Sequence, residues 1–254
     1  MSDLEVDRHD GQLWLTLNRE HTRNALNAEV LRGLLDVLRD PGEARVVMVN
    51  SVGPVFCSGA DLVQMAPGAT GLQVHEGRGL LREVVLAMRA CPLPVVATVQ
   101  GLCLAGGVGL VLGCDVVLVA DTAAFGLPEV ELGLWPFMVS ALLGRHVSPK
   151  RAMELMLTGR RVPAAEALEM GLVSRVVAAD RLREEEQSLA ATLAAKPPVA
   201  VRLGKAAFQA AMETPLVPGL AAMQAQLSLL TATEDAAEGV RAFLDKRSPH
   251  WKGR

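Results

Sequence analysis

The sequence predicts an α/β fold: a coiled stack of strand–turn–strand–helix (ββα) units over residues 1–195, then an all-helical region over residues 196–254. Three observations predict it. Segments beginning at Val46, Val95 and Val116 each read as Val-rich strand, turn, short extended piece and glycine, a weak internal repeat that suggests similar layers rather than one flat sheet. Apolar residues at helical spacing fill the intervals between these segments. From Asp180 onward the pattern is helical throughout, broken at Lys196-Pro197-Pro198.

Taken in order, residues 4–9 and 12–17 flank Asp10-Gly11, the turn chemistry of a β-hairpin. Residues 18–23 (NREHTR) form a polar loop. From Asn27, the apolar residues Val30, Leu31, Leu34, Leu35 and Leu38 share one helical face, and Asp40-Pro41-Gly42 ends the helix. Residues 45–50 make a buried strand that leads through a glycine turn at 59–61 to a helix start. A helix over about residues 76–90 buries Leu80, Leu81, Val84, Val85 and Met88. Cys91-Pro92-Leu93-Pro94 breaks it and restarts the sheet. Ser148-Pro149 opens another helix, Pro163 to Met170 a shorter one, and Leu172 to Val177 reads as the last strand. The helical tail buries little by itself, so it is expected to pack on the core or on a neighbouring subunit.

Composition narrows the function. The chain has 254 residues, half of them apolar, and a formal charge of −3 without basic blocks, which argues against nucleic acid as a partner. Tyr is absent and aromatics are 3%, leaving few surfaces on which bases could stack. Cys57, Cys91, Cys103 and Cys114 form no metal or redox spacing, and reduced buried thiols in a cytoplasmic protein are expected. Residues 1–11 show no export signal. Residues 92–114 are uncharged and long enough to span a bilayer, yet five glycines and two prolines favour a buried strand–turn–helix.

Two familiar chemistries are disfavoured. Gly107, Gly109 and Gly113 after a strand suggest dinucleotide binding, but the next strand starts near Asp115. That leaves a helix of about 9 Å, where a parallel crossover needs about a dozen residues. No serine lies in a nucleophile turn of the hydrolase type, and none of His9, His21, His75, His146 and His250 adjoins one.

Proton transfer at an activated carbonyl fits better. The glycine turns at 59–61 and 106–107 could each present backbone N–H groups to one oxygen, making an oxyanion hole, or could be packing glycines in a tight stack. Glu129, after Phe125-Gly126-Leu127-Pro128, is an acid that the next unit could carry back beside them. If this piece is extended, Glu131 points the other way.

At this point the residues carry a family resemblance. The stretch Phe56-Cys57-Ser58-Gly59-Ala60-Asp61-Leu62, the set Ala105-Gly106-Gly107 with Cys114-Asp115, and Phe125 to Leu134 resemble the enoyl-CoA hydratase/isomerase (crotonase) family. So do Leu157-Thr158-Gly159-Arg160 with Gly171-Leu172-Val173, and Glu238 to Arg247 near the C-terminus. The resemblance implies a crotonase-like stack with a helical trimerisation tail and an acyl-CoA thioester as substrate. Coenzyme A would be part of that substrate, with no separate cofactor or metal, and the assembly a homotrimer or a dimer of trimers. It implies that the N–H groups of Ala60 and Gly106 hold the thioester oxygen beside Gly107, and that Glu129 is the acid/base. Ala60, Asp61 and Leu62 would line the CoA path, and Arg23 and a neighbouring subunit's Lys246 would meet its phosphates.

Two departures stand out. Hydratases of the family carry a second glutamate where this chain has Gly109, and many have Pro-Gly and Gly-Gly-Thr where it has Trp135-Pro136-Phe137-Met138-Val139. Hydration of an enoyl-CoA is the leading expectation. The alternatives are Δ3-Δ2-enoyl-CoA isomerisation by one glutamate and a non-catalytic thioester-binding oligomer.

Overall fold

A computed structural model describes residues 2–62 and 71–254. Strands β1 (Leu4–His9) and β2 (Gln12–Leu17) form the expected hairpin, Leu4 opposite Leu17. Both turn residues, Asp10 and Gly11, have left-handed φ values of 49° and 71°, the conformation that makes Asp-Gly a two-residue hairpin turn. Helix α1 (Ala28–Arg39) buries all five residues of its apolar stripe, and the Asn27 side chain caps it by accepting from the Val30 N–H.

Three units then repeat. Strand β3 (Val46–Ser51), β4 (Val55–Cys57) and α2 (Gly71–Ala90) make the first; β5 (Val95–Val99), β6 (Leu102–Leu104) and α3 (Gly106–Gly113) the second. The third is β7 (Val116–Ala120), β8 (Ala124–Gly126), a 3-10 turn over Pro128–Leu132 and α4 (Phe137–His146). The first strands of the units join one sheet of order β1-β2-β3-β5-β7-β10, where β10 is Arg175–Val177, and the second strands join another of order β4-β6-β8-β9, where β9 is Arg161–Pro163. Within each sheet the units pair in parallel, so the chain coils, advancing one strand per turn in two sheets at once. Residues 92–114 are thereby divided among β5, β6 and α3. Among the described residues no helix is long and apolar enough to cross a membrane.

Burial follows from this coil. Val47 and Val49 face the main core with α1 and α2, whereas Val46 and Met48 face Trp14 and Val96, where α7 (Leu182–Ala194) supplies Ala190. A sheet covered on both faces needs strands that are apolar at nearly every position, which is why β3 and β5 read as Val-rich runs with few polar residues.

The elements differ from expectation in four places. Helix α2 begins at Gly71 rather than near residue 76 and Leu80 is only half-buried, while Leu81, Val84, Val85 and Met88 are buried as expected. The last strand, β10, spans only Arg175–Val177; Leu172 and Val173 are buried in the turn before it, where Leu172 N–H bonds to Ala167. A short β9 (Arg161–Pro163), antiparallel to β8, had no signal in the sequence because three residues show no periodicity. Ala60 does not open a helix: it forms a parallel bridge with Leu26, and of the looser loop expected after Leu62, residues 63–70 lie outside the described residues.

Helices α5 (Pro149–Thr158) and α6 (Ala164–Glu169) lie between α4 and β10 along the chain. Beyond α7, the tail comprises α8 (Pro198–Ala211), α9 (Leu216–Thr231) and α10 (Glu234–Leu244). Lys205 of α8 joins the tail to the core: its Nζ lies 2.6 Å from Asp115 and donates to the carbonyls of Met88 and Leu93, both at 2.9 Å. The chain end folds back, and buried Asp235 accepts the backbone N–H groups of Lys252 and Gly253.

Candidate active site

The small sheet places the chemistry. β4, β6 and β8 run parallel, with Leu104 opposite Gly126, so the residues that follow them emerge at one edge from three successive turns of the coil. Those residues are Gly59-Ala60-Asp61, Ala105-Gly106-Gly107 and Leu127-Pro128-Glu129. Carboxyl ends of neighbouring parallel strands are where open α/β sheets bind ligands.

Close approach explains the glycines. At Gly59, φ is 100° and a Cβ would sit 2.6 Å from the Ala105 Cβ. At Gly107 a Cβ would fall 2.8 Å from the Cys57 Cβ, so α3 can lie on β4 only with glycine there. Both are therefore packing glycines. Gly106 is different: a Cβ there would have ordinary contacts, 3.4 Å from Leu81 and 3.7 Å from the Ala60 nitrogen. The Ala60 and Gly106 amides are thus neighbours, and neither N–H has an acceptor among the described residues.

Backbone strain orients the second of these donors. Ala105, the N-cap of α3, has φ 51° and ψ −123°, a conformation costly for a residue with a Cβ. Its N–H is held by the Gly126 carbonyl at 2.9 Å. Gly106 therefore starts α3 with an unpaired N–H at the positive end of the helix dipole.

Glu129 enters from the third turn. It lies in the 3-10 turn, half-buried, with Oε2 buried and without a hydrogen-bond partner among the described residues. Burial raises its carboxyl above the ordinary value, an effect partly offset by a hydrogen bond from its own backbone N–H. A carboxylate held in this way is poised to take up a proton. The segment is a 3-10 turn rather than extended; Glu131 is exposed, its carboxylate beside Gly159 at the end of α5.

The wall beyond Gly106 is apolar. Gly109 lies on the same face of α3 one turn on, and a Cβ there would be 3.3 Å from Val139 Cγ2 and 3.7 Å from Leu81 Cδ2. The other predicted residues divide. Leu62 is exposed, whereas the Asp61 carboxylate turns inward to pair with Arg19 at 3.1 Å. Arg23 is exposed with φ 55°, its carbonyl accepting from the Ser58 N–H at the rim of the site. Lys246 follows α10 in an exposed left-handed turn and is not part of this cluster.

Sequence reasoning missed Arg19 and Asn24. Both are buried: Asn24 accepts from the Arg19 N–H and donates to the Val52 and Val55 carbonyls, stitching the 19–27 loop to β4. In a run as polar as NREHTR nothing marks which side chain turns inward. Among the described residues no cluster of His, Cys, Asp and Glu could hold a metal ion. The thiols of Cys57, Cys91, Cys103 and Cys114 are all raised by burial, Cys57 to about 12, so they are inert packing groups.

Comparison with known proteins identifies the family and the fold. The family model for enoyl-CoA hydratase/isomerase matches residues 7–254. The chain is 36% identical over 258 residues to 2,3-dehydroadipyl-CoA hydratase of Escherichia coli, covering all of both chains. It is 38% identical over 244 residues to a probable enoyl-CoA hydratase of Mycobacterium tuberculosis, covering 94% of each. Among solved structures, human enoyl-CoA hydratase domain-containing protein 3 superposes with a TM-score of 0.94 at 33% identity, over 98% of this chain and 100% of that one. An enoyl-CoA hydratase of Mycobacterium smegmatis gives 0.92 at 33% identity, over 98% of both chains. The chain has the crotonase fold and belongs to the enoyl-CoA hydratase/isomerase family.

Proposed function

We propose that the protein hydrates the α,β double bond of an acyl-CoA thioester through an enolate, with the N–H groups of Ala60 and Gly106 on the thioester oxygen and Glu129 moving the protons. The observation that carries this reading is the buried Glu129 Oε2, without a hydrogen-bond partner among the described residues, on the segment after Gly126, whose carbonyl holds the residue preceding Gly106. The names of the Escherichia coli and Mycobacterium tuberculosis relatives support hydration as the reaction.

In this scheme Glu129, ionised, takes a proton from water as the water oxygen bonds to Cβ. The Cα–Cβ π electrons move into the thioester, and the resulting enolate oxygen is held by the two amides. Protonated Glu129 then delivers the proton to Cα, so the elements of one water are added and the carboxylate is restored. A preorganised N–H donor on such an oxyanion is worth about 3 kcal/mol. A positioned acid/base contributes roughly 10²–10⁴-fold. No separate cofactor takes part; coenzyme A is carried by the substrate. Leu62 and the backbone at Ala60, Asp61 and Gly107 would border the thioester, with Arg23 and a neighbouring copy's Lys246 toward its phosphates. The tail over residues 196–254 would join copies into a homotrimer or a dimer of trimers, and the enzyme would work in the cytoplasm.

A second reading, Δ3-Δ2 isomerisation, is favoured by the apolar wall at Gly109, Val139 and Leu81, which offers no second carboxylate. One glutamate suffices to move a single proton across an enolate. Assaying purified protein on crotonyl-CoA and on a 3-enoyl-CoA separates the two. Faster hydration supports the first; fast double-bond migration with negligible hydration supports the second.

A further inference from the structure

We propose that buried Arg19 is a positioning residue that orients and polarises the Ala60 N–H through two peptide groups in series; this rests on the oxyanion role given to Ala60 above. Arg19 Nη1 donates to the Ala25 carbonyl at 2.6 Å. The peptide carrying that carbonyl also carries the Leu26 N–H, which donates to the Gly59 carbonyl at 2.8 Å. That second peptide carries the Ala60 N–H.

Each peptide is planar, with its C=O and N–H pointing in opposite directions. Fixing the Ala25 carbonyl therefore fixes the Leu26 N–H, and fixing the Gly59 carbonyl fixes the Ala60 N–H away from the 25–26 segment. The line runs from a cation to the free donor. The guanidinium is permanently charged, and its side chain is only 11% exposed, so solvent screens it weakly. Hydrogen bonds in a chain polarise one another by roughly 10–30% per bond. A charge at the head of the line makes the last N–H a stronger donor to a developing oxyanion.

The surroundings hold Arg19 to this task. Asp61 Oδ2 pairs with the same Nη1 at 3.1 Å, and the Asp61 N–H donates to the Leu26 carbonyl at 3.0 Å, so the turn is gripped on both sides of Ala60. Asp3 lies 2.9 Å from Arg19 Nε and partly neutralises the cation. These two charges set the sign of a test that simple loosening of the loop would not reproduce.

The test is the infrared carbonyl stretch of a saturated acyl-CoA labelled with 13C at its thioester carbonyl, bound to wild type, Arg19→Gln, Arg19→Lys and Asp3→Asn. The relay predicts a downshift in wild type. That downshift should be smaller by roughly a fifth or more in Arg19→Gln, largely restored in Arg19→Lys and enlarged in Asp3→Asn, which removes a neutralising charge. Turnover of Arg19→Gln should fall in kcat with KM little changed. A wild-type downshift that persists unaltered in both Arg19→Gln and Asp3→Asn overturns the relay and leaves the oxyanion reading standing. No downshift in wild type overturns both. Should Arg19→Gln fail to fold, the direction of change in Asp3→Asn decides alone: an enlarged downshift supports the relay, and an equal or smaller one refutes it.

Discussion

Gly109 of α3 and Val139 of α4 occupy one space: a Cβ on Gly109 would lie 3.3 Å from Val139 Cγ2. Gly109 stands where hydratases of the family carry a second glutamate, and Val139 lies in the Trp135–Val139 stretch that departs from many hydratases. They are far apart in sequence, yet the fold sets them side by side. Val139 is buried, as is Gly109, and Leu81 closes the same wall. An acid at 109 and a valine at 139 compete for the same volume.

Gly109→Glu alone is therefore expected to be overpacked, losing about 1–3 kcal/mol of stability with no gain in hydration. Adding Val139→Ala should recover part of that loss and raise hydration of crotonyl-CoA above the level of Val139→Ala by itself. Thermal unfolding and rates on all four proteins check this. Additive effects on both would show that the two residues do not compete.

Glu129→Gln should change stability in a pH-dependent way. The folded-state pKa of Glu129 is raised by burial, so the folded protein binds its proton more tightly than the unfolded chain does. The stability associated with that proton is present below the ordinary carboxylate range and is lost as pH rises through the folded value. The variant should thus match or exceed wild-type Tm at neutral pH, and that advantage should shrink in acid. A variant advantage that grows on acidification would contradict the assignment.

The hairpin and α1 were fully legible in the sequence, because Asp10-Gly11 and the Leu34, Leu35, Leu38 stripe are local signals of turn and helix. The coil was legible as a Val-rich rhythm, since every first strand is buried on two faces. Less visible were features set by distant partners. Ala60 became a bridge because Leu26 was available to pair with it, and the start of α2 and the three-residue β9 carry no decisive pattern. At the candidate site two turns were legible from their glycines and the third segment from Glu129, but not the division of labour among them. Only the packing shows that Gly59 and Gly107 permit close approach while Gly106 leaves an amide free.

Lys205→Met should weaken docking of the tail. It removes a side chain that meets Asp115 and two carbonyls, leaving those acceptors without their cation. The expected cost is on the order of 3 kcal/mol, read by denaturant unfolding. A loss under about 0.5 kcal/mol, the scale of ordinary surface substitutions, would show that the contact does not anchor α8.

Phe208, Met212, Leu216, Val217, Phe243 and Leu244 are all exposed on or beside the tail helices, each by 65% or more. Apolar surface of this extent is expected to be covered by other copies of the chain. Sedimentation equilibrium should give a mass of three chains or a multiple of three, and Phe243→Glu should lower it. A stable, active monomer would refute the trimer.

The most direct test is turnover of crotonyl-CoA and of a 3-enoyl-CoA by purified wild type and Glu129→Gln, alongside thioester affinity for each. Both readings of the reaction require this one carboxylate to move a proton. Expected is a loss of about 10²-fold or more in kcat on whichever substrate the wild type converts, with thioester affinity and fold retained. Near-wild-type rates in Glu129→Gln on that substrate would contradict the assignment of Glu129 and, with it, the enolate site built on Ala60 and Gly106.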